Sequence, residues 1–128
     1  MATTYHNAAL NISQSTTSGM IYSASGDFLT ASSGETLILK SMQVCNASKG
    51  IGTTYYDQNI IASFLDASTG TTHSIANTVS VPKHSSIDVL SDNFVLESGD
   101  KIQLQITGSS EATLVYESHA IGSYLKVT

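Results

Sequence analysis

The chain has no arginine and no tryptophan, one proline, one cysteine, and charged residues at only 12 % of its 128 positions. Each shortage excludes something. Without arginine there is no bidentate clamp for phosphate or carboxylate ligands. Five lysines stand against ten acids, a formal charge of −5, so there is little to displace counterions from a phosphate backbone, and nucleic acid is not expected as a partner. Cys45 is alone, which rules out an internal disulfide and leaves the redox compartment open. Its place in an apolar strand pattern predicts a buried, inert thiol. No apolar run approaches ~18 residues, so no membrane span is expected. The opening MATTYHNAALNIS has neither the basic region nor the apolar block of a secretion signal. The Asn-x-Ser triplets at Asn11 and Asn46 are therefore read as incidental to so Ser/Asn-rich a chain.

What is present is 41 % hydrophobic residues set among Ser, Thr, Asn and Gly, enough for one domain with a core of its own. No stretch carries apolar residues at i, i+3, i+4 and i+7, so helix should be slight. Between Ser80 and Thr107 the pattern is plainest. Ser86–Leu90, Phe94–Leu96 and Lys101–Thr107 are short apolar runs, and the last alternates: Ile102, Leu104 and Ile106 on one side, Lys101, Gln103 and Gln105 on the other. Pro82-Lys83-His84 and Glu97-Ser98-Gly99-Asp100 punctuate the runs, proline by removing a ladder donor and Gly99 by admitting positive φ.

The rest follows the same reading. Met20–Ser23 and Asp27–Thr30 are predicted as short strands around a Ser25-Gly26 turn. After Gly34, the run Glu35–Asn46 changes parity: Leu37 and Leu39 share one side, Met42 and Val44 the other. A β-bulge near Lys40-Ser41 reconciles them, whereas a central strand buried on both faces fits Lys40 poorly. Ile60–Asp66, His73–Ser80 (Ile75 and Val79 inward) and Ala112–Glu117 are further strands, and Tyr124–Val127 is a final strand or docking segment. About eight short strands with turn signals every 8–12 residues predict an all-β, antiparallel β-sandwich over 20–128, jelly-roll or immunoglobulin-like. Residues 1–19, with Leu10 and Ile12 as apolar anchors, are read as an N-terminal arm: a weak strand, an extension settling on a neighbouring subunit, or a disordered segment.

No catalytic set emerges. His6, His73, His84 and His119 lie in four separate segments without ligand spacing. A Cys45–histidine nucleophile–base pair has no local support. Asp88, Asp92, Glu97 and Asp100 match no calcium-loop spacing and are expected to cap turns or face water. Tyr55-Tyr56, on the glycine-containing loop Ala47–Asn59, can stack on a sugar ring or serve as a contact hot spot, or simply pack on their own domain.

Four segments together resemble small tailed-bacteriophage virion proteins: Glu35–Asn46 after the Gly34 turn, Val79–Ser86 around Pro82, Leu96–Ile102 around Gly99, and Leu114–Ser118. The similarity covers about residues 32–118. It implies a non-enzymatic structural protein of the particle without cofactor, a capsid decoration or cement protein or a neck or tail component. It also implies a homo-oligomer whose partners are other virion proteins and whose location is the virion. The competing class is a carbohydrate-binding, receptor-binding module on the same sandwich, for which Tyr55 and Tyr56 would supply the aromatic platform.

Overall fold

The structure, a computed structural model, describes residues 2–48, 57–110 and 113–128, the side chain of Leu114 excepted. Among these residues there are nine strands and no helix: β1 (Thr3–Thr16), β2 (Ile21–Thr30), β3 (Thr36–Asn46), β4 (Gln58–Asp66), β5 (Thr71–Val81), β6 (Ser86–Asp88), β7 (Phe94–Leu96), β8 (Lys101–Ser109) and β9 (Leu114–Val127). They form two antiparallel sheets. In the first the order is β1-β9-β3-β6, with β7 also paired to β3; in the second it is β2-β8-β4-β5. The first strand therefore lies beside the last, and the chain passes repeatedly from sheet to sheet. With β6 and β7 counted as one interrupted strand, this is the eight-strand jelly roll. An immunoglobulin-like sandwich would place its first strand beside its second.

Both inner faces close on one core. Ile102, Leu104 and Ile106 are fully buried and meet Leu37, Leu39, Met42 and Val44 from the opposite sheet. The parity change in β3 is a bulge: its ladder with β9 steps from Leu39↔Tyr124 to Ser41↔Ser123, skipping Lys40. The extra residue turns Lys40 to solvent and lets both apolar pairs point inward. At one end, buried polar groups join the strands. Asn46 Nδ2 donates to the Val81 carbonyl, and Gln58 Nε2 to the Glu117 carbonyl and the Ser48 hydroxyl. Nearby, Tyr22 stacks on Tyr116 at 3.8 Å between ring centroids, and burial raises the Tyr22 phenol above its ordinary pKa.

Several elements differ from the sequence expectation. Residues 3–16, within the expected arm, form β1 and pair with β9 along its entire length without a register shift. Ile12 is 8 % exposed and belongs to the chain's own core, with the half-buried Leu10 packed against it. The segment reads as weak because its inward side includes Ala8 and polar residues, and because its partner lies about a hundred residues away. No turn occurs at Ser25-Gly26, which sits inside β2. A Cβ on Gly26 would stand 3.1 Å from Leu10 Cδ1 and 3.3 Å from Ile12 Cγ2, so this glycine permits close approach of the sheets. The two C-terminal pieces are one strand, β9, held between β1 and β3. In β5, Val79 is 36 % exposed, and Val81 takes the core position.

Proline and glycine organise the reversals. Ser85 N–H donates to the Pro82 carbonyl, closing a turn after β5. Gly34 has φ of 81° and Gly99 of 88°. In the Glu97–Asp100 turn, Asp100 N–H donates to the Glu97 carbonyl, and the buried Asp100 carboxylate accepts from the Ala67 and Glu97 N–H groups. Gly99→Val combines the cost of positive φ with a Cβ 3.0 Å from that of Ala67. A loss of about 1–3 kcal/mol is expected in urea unfolding; a change within about 0.5 kcal/mol would contradict this account.

Lys126 Nζ lies 2.9 Å from Glu35 Oε2, and the Ser32 N–H donates to Glu35 Oε1. These contacts, that of Lys126 first, hold the Glu35 carboxyl below its ordinary pKa. Because the folded value is depressed, the contribution of the pair is present above the unfolded carboxyl pKa and lost as pH falls through the folded one. In Lys126→Met, a carboxyl titration followed by NMR should show Glu35 moving back up; an unmoved Glu35 would assign the depression elsewhere.

Candidate functional site: the outer face of the β1-β9-β3 sheet

The two outer faces differ in character. That of the β2-β8-β4-β5 sheet carries polar side chains bonded to one another, Asp27 taking Lys101 and Gln103 and Gln105 donating to Ser23, with Ile21, 72 % exposed, at the start of its edge strand. On the other sheet, the registers Tyr5↔Leu125, Ile38↔Leu125 and Ile38↔Val95 align four apolar side chains in one row across four strands. Tyr5 is 82 % and Val95 52 % exposed, while Ile38 and Leu125 are half-buried. Opposed residues in neighbouring strands stand about 5 Å apart, so the row is a continuous stripe roughly 14 Å long. Two rows away lies exposed Ile121, between Ala9 and Gln43.

Beyond it, a third feature brings chemistry-bearing groups together. Cys45 lies directly opposite His119, whose Nε2 bonds the Glu117 carboxylate. Cys45 is half-buried on an outward position, not the interior thiol expected. Gln43, Ser86 and Ile121 complete a depression of about 310 Å³. The order thiol, imidazole, carboxylate is that of an activated nucleophile. The Cys45 backbone N–H gives no oxyanion support: Cys45 is laddered to β9 on one side and β6 on the other, so that N–H is directed along the sheet.

The open side of the sandwich holds a second hollow of about 520 Å³ between β5 and the β6–β7 segment, floored by Phe64, Ile75 and Phe94. Phe64 and Phe94 meet edge to face at 4.9 Å.

The remaining expected site residues are dispersed. His6 stacks on Tyr124 and His73 on Phe64, while His84 occupies the Pro82 turn with φ of 59°. Asp100 serves its own turn, and Asp88, Asp92 and Glu97 are exposed. Among the described residues, no three His, Cys, Asp or Glu side chains are placed to hold a metal ion. Tyr55 and Tyr56 lie outside the described residues. The apolar row escaped sequence reasoning because its members come from four strands. The one local signal was Ile38, an apolar residue off the parity of Leu37 and Leu39.

No protein-family model matches the chain, and no curated protein is similar to it. Among solved structures it is similar to that of infectious bursal disease virus Gt strain, at 12 % identity and a TM-score of 0.48, covering 97 % of this chain and 32 % of that one. The Gx strain structure gives 14 % identity and a TM-score of 0.41 over 98 % of this chain and 37 % of that one. Derived T=1 particles of the same virus give 12 % and 0.38 over 92 % and 35 %. The chain thus spans about a third of the length of the structures it matches, and with these TM-scores below 0.5 the likeness says nothing of what it does.

Proposed function

We propose that this chain is a non-enzymatic structural component of a virus particle, acting through protein–protein contacts made by the outer face of the β1-β9-β3 sheet. The observation that carries the reading is the exposed row Tyr5–Leu125–Ile38–Val95 on a face with few charges. Burying such a face desolvates apolar side chains and few ions, the favourable case for stable assembly. The resemblance of the Gly34, Pro82 and Gly99 segments to tailed-phage virion proteins supports the finer assignment, a capsid decoration or cement protein or a neck or tail component. The jelly roll is compatible with it but is shared with lectins and enzymes.

The test is association with particles lacking this protein. Deleting residues 1–19 would strip an edge strand and the core residue Ile12 along with any docking surface, so point variants are the cleaner probe. Tyr5→Ser/Val95→Ser should keep the wild-type fold and weaken particle binding about tenfold or more. Undiminished binding would remove the row from the mechanism. A wild-type chain that ignores particles but retains a defined glycan on an array would establish the carbohydrate-binding reading instead.

A further inference from the structure

Each sheet of an open sandwich ends in edge strands whose unpaired N–H and C=O groups invite another strand, and proteins blunt such edges with charge, bulges, irregularity or brevity. Three of the four edges here are blunted. β2 carries Asp27 and a register shift between Asp27 and Leu29, and the Gln14 side chain takes the Ser23 N–H. β5 has two register irregularities against β4, with Thr78 at φ of 53°. The third is, among the described residues, made by β6 and β7, of three residues each, with Asp88 in the first.

β1 has none of these devices. It is 14 residues long, TTYHNAALNISQST, with no Asp, Glu, Lys, Arg or Pro, and it pairs with β9 in unbroken register. An edge this long, regular and uncharged is built to be covered.

We infer that β1 pairs antiparallel with β1 of a second copy of this chain, joining two β1-β9-β3 sheets into one continuous sheet about a twofold axis. This rests on the reading of the chain as an assembly component and names its first partner. A second copy fits because like charges do not meet, the strands match in length, and parity is satisfied. Odd residues face outward and even residues inward in β1, so a symmetric pairing must oppose odd to odd. The register centred on Ala9 does this over residues 3–15. It sets Ala9 against Ala9, Asn7 against Asn11 with amides able to bond reciprocally, and the bulky Tyr5 and Leu10 against the small Ser13 and Ala8. Tyr5, at the end of the apolar row, then reaches across the junction, so each row abuts the second copy.

Sedimentation velocity of the full chain should give twice the monomer mass. Ala9→Lys, which sets two ammonium groups against each other at the axis, should halve that mass while leaving the β spectrum and a cooperative unfolding transition intact. In a Cys45→Ser background, Ala9→Cys should cross-link the dimer on oxidation. Asn7→Cys should not, since its own copy lies four residues off register, beyond disulfide reach. A dimer indifferent to Ala9→Lys, or one in which the Ala9→Cys variant fails to cross-link, would overturn the β1 pairing and leave the assembly reading standing. A chain that remains monomeric yet binds particles would do the same; one that remains monomeric and binds no particle would remove both.

Discussion

Replacing Gly122 by alanine is expected to cost more than about 4 kcal/mol, a large share of the roughly 5–15 kcal/mol that holds a domain folded. Gly122 lies in the middle of β9, opposite Met42 of β3 on one side and Ala8 of β1 on the other. It stands beside the bulge at Lys40, where the extra residue presses the β3 backbone toward β9. A Cβ there would overlap the Ser41 carbonyl oxygen and also come within 3.1 Å of Phe28 Cζ. The first obstacle is backbone held in a ladder, so a rotamer change gives no relief; either the bulge or the β9 pairing must yield. Urea unfolding of Gly122→Ala beside Ser123→Ala, a neighbour on the same strand, separates this clash from ordinary substitution in β9. A Gly122→Ala variant within about 1 kcal/mol of the parent would show that the strands do not approach as described.

Leu104→Ala is expected to fall in the upper part of the ~2–5 kcal/mol range for buried leucine. Leu104 is fully buried, and its ladder neighbours on the two sides are Gly26 and Ala62. Neither has a side chain able to swing into the space left behind, so the cavity persists instead of collapsing. Leu104→Met, which nearly conserves volume, should lose less than about 1.5 kcal/mol. Equal losses for the two variants would mean that shape at this position, rather than the cavity, sets the cost; an alanine variant as stable as the parent would remove Leu104 from the core.

The candidate site was far less legible than the fold. Alternation in Lys101–Thr107 and the parity change at Lys40 are local facts, since a strand with one dry face must write its period into consecutive residues. The Tyr5–Leu125–Ile38–Val95 row has no such period. Its members are spread from position 5 to position 125, and each alone is an ordinary surface residue. The Cys45–His119–Glu117 arrangement was equally invisible, because strand register alone brings Cys45 opposite His119.

Gly26 and Gly122 show the same division in the backbone. As letters they suggested a turn and nothing in particular; in the sheets both mark places where another chain segment comes too near for a Cβ. By itself the sequence determined the all-β class, the inward face of β8, the bulge in β3 and the reversal at Gly99, because each depends on neighbours a few positions away. Only the tertiary structure decided that the sandwich is a jelly roll, that residues 3–16 are one of its edge strands, and which outward residues adjoin. Those depend on which strands pair and in what register, and pairing joins residues as distant as Thr3 and Val127, whose mutual fit leaves no mark on the residues between them.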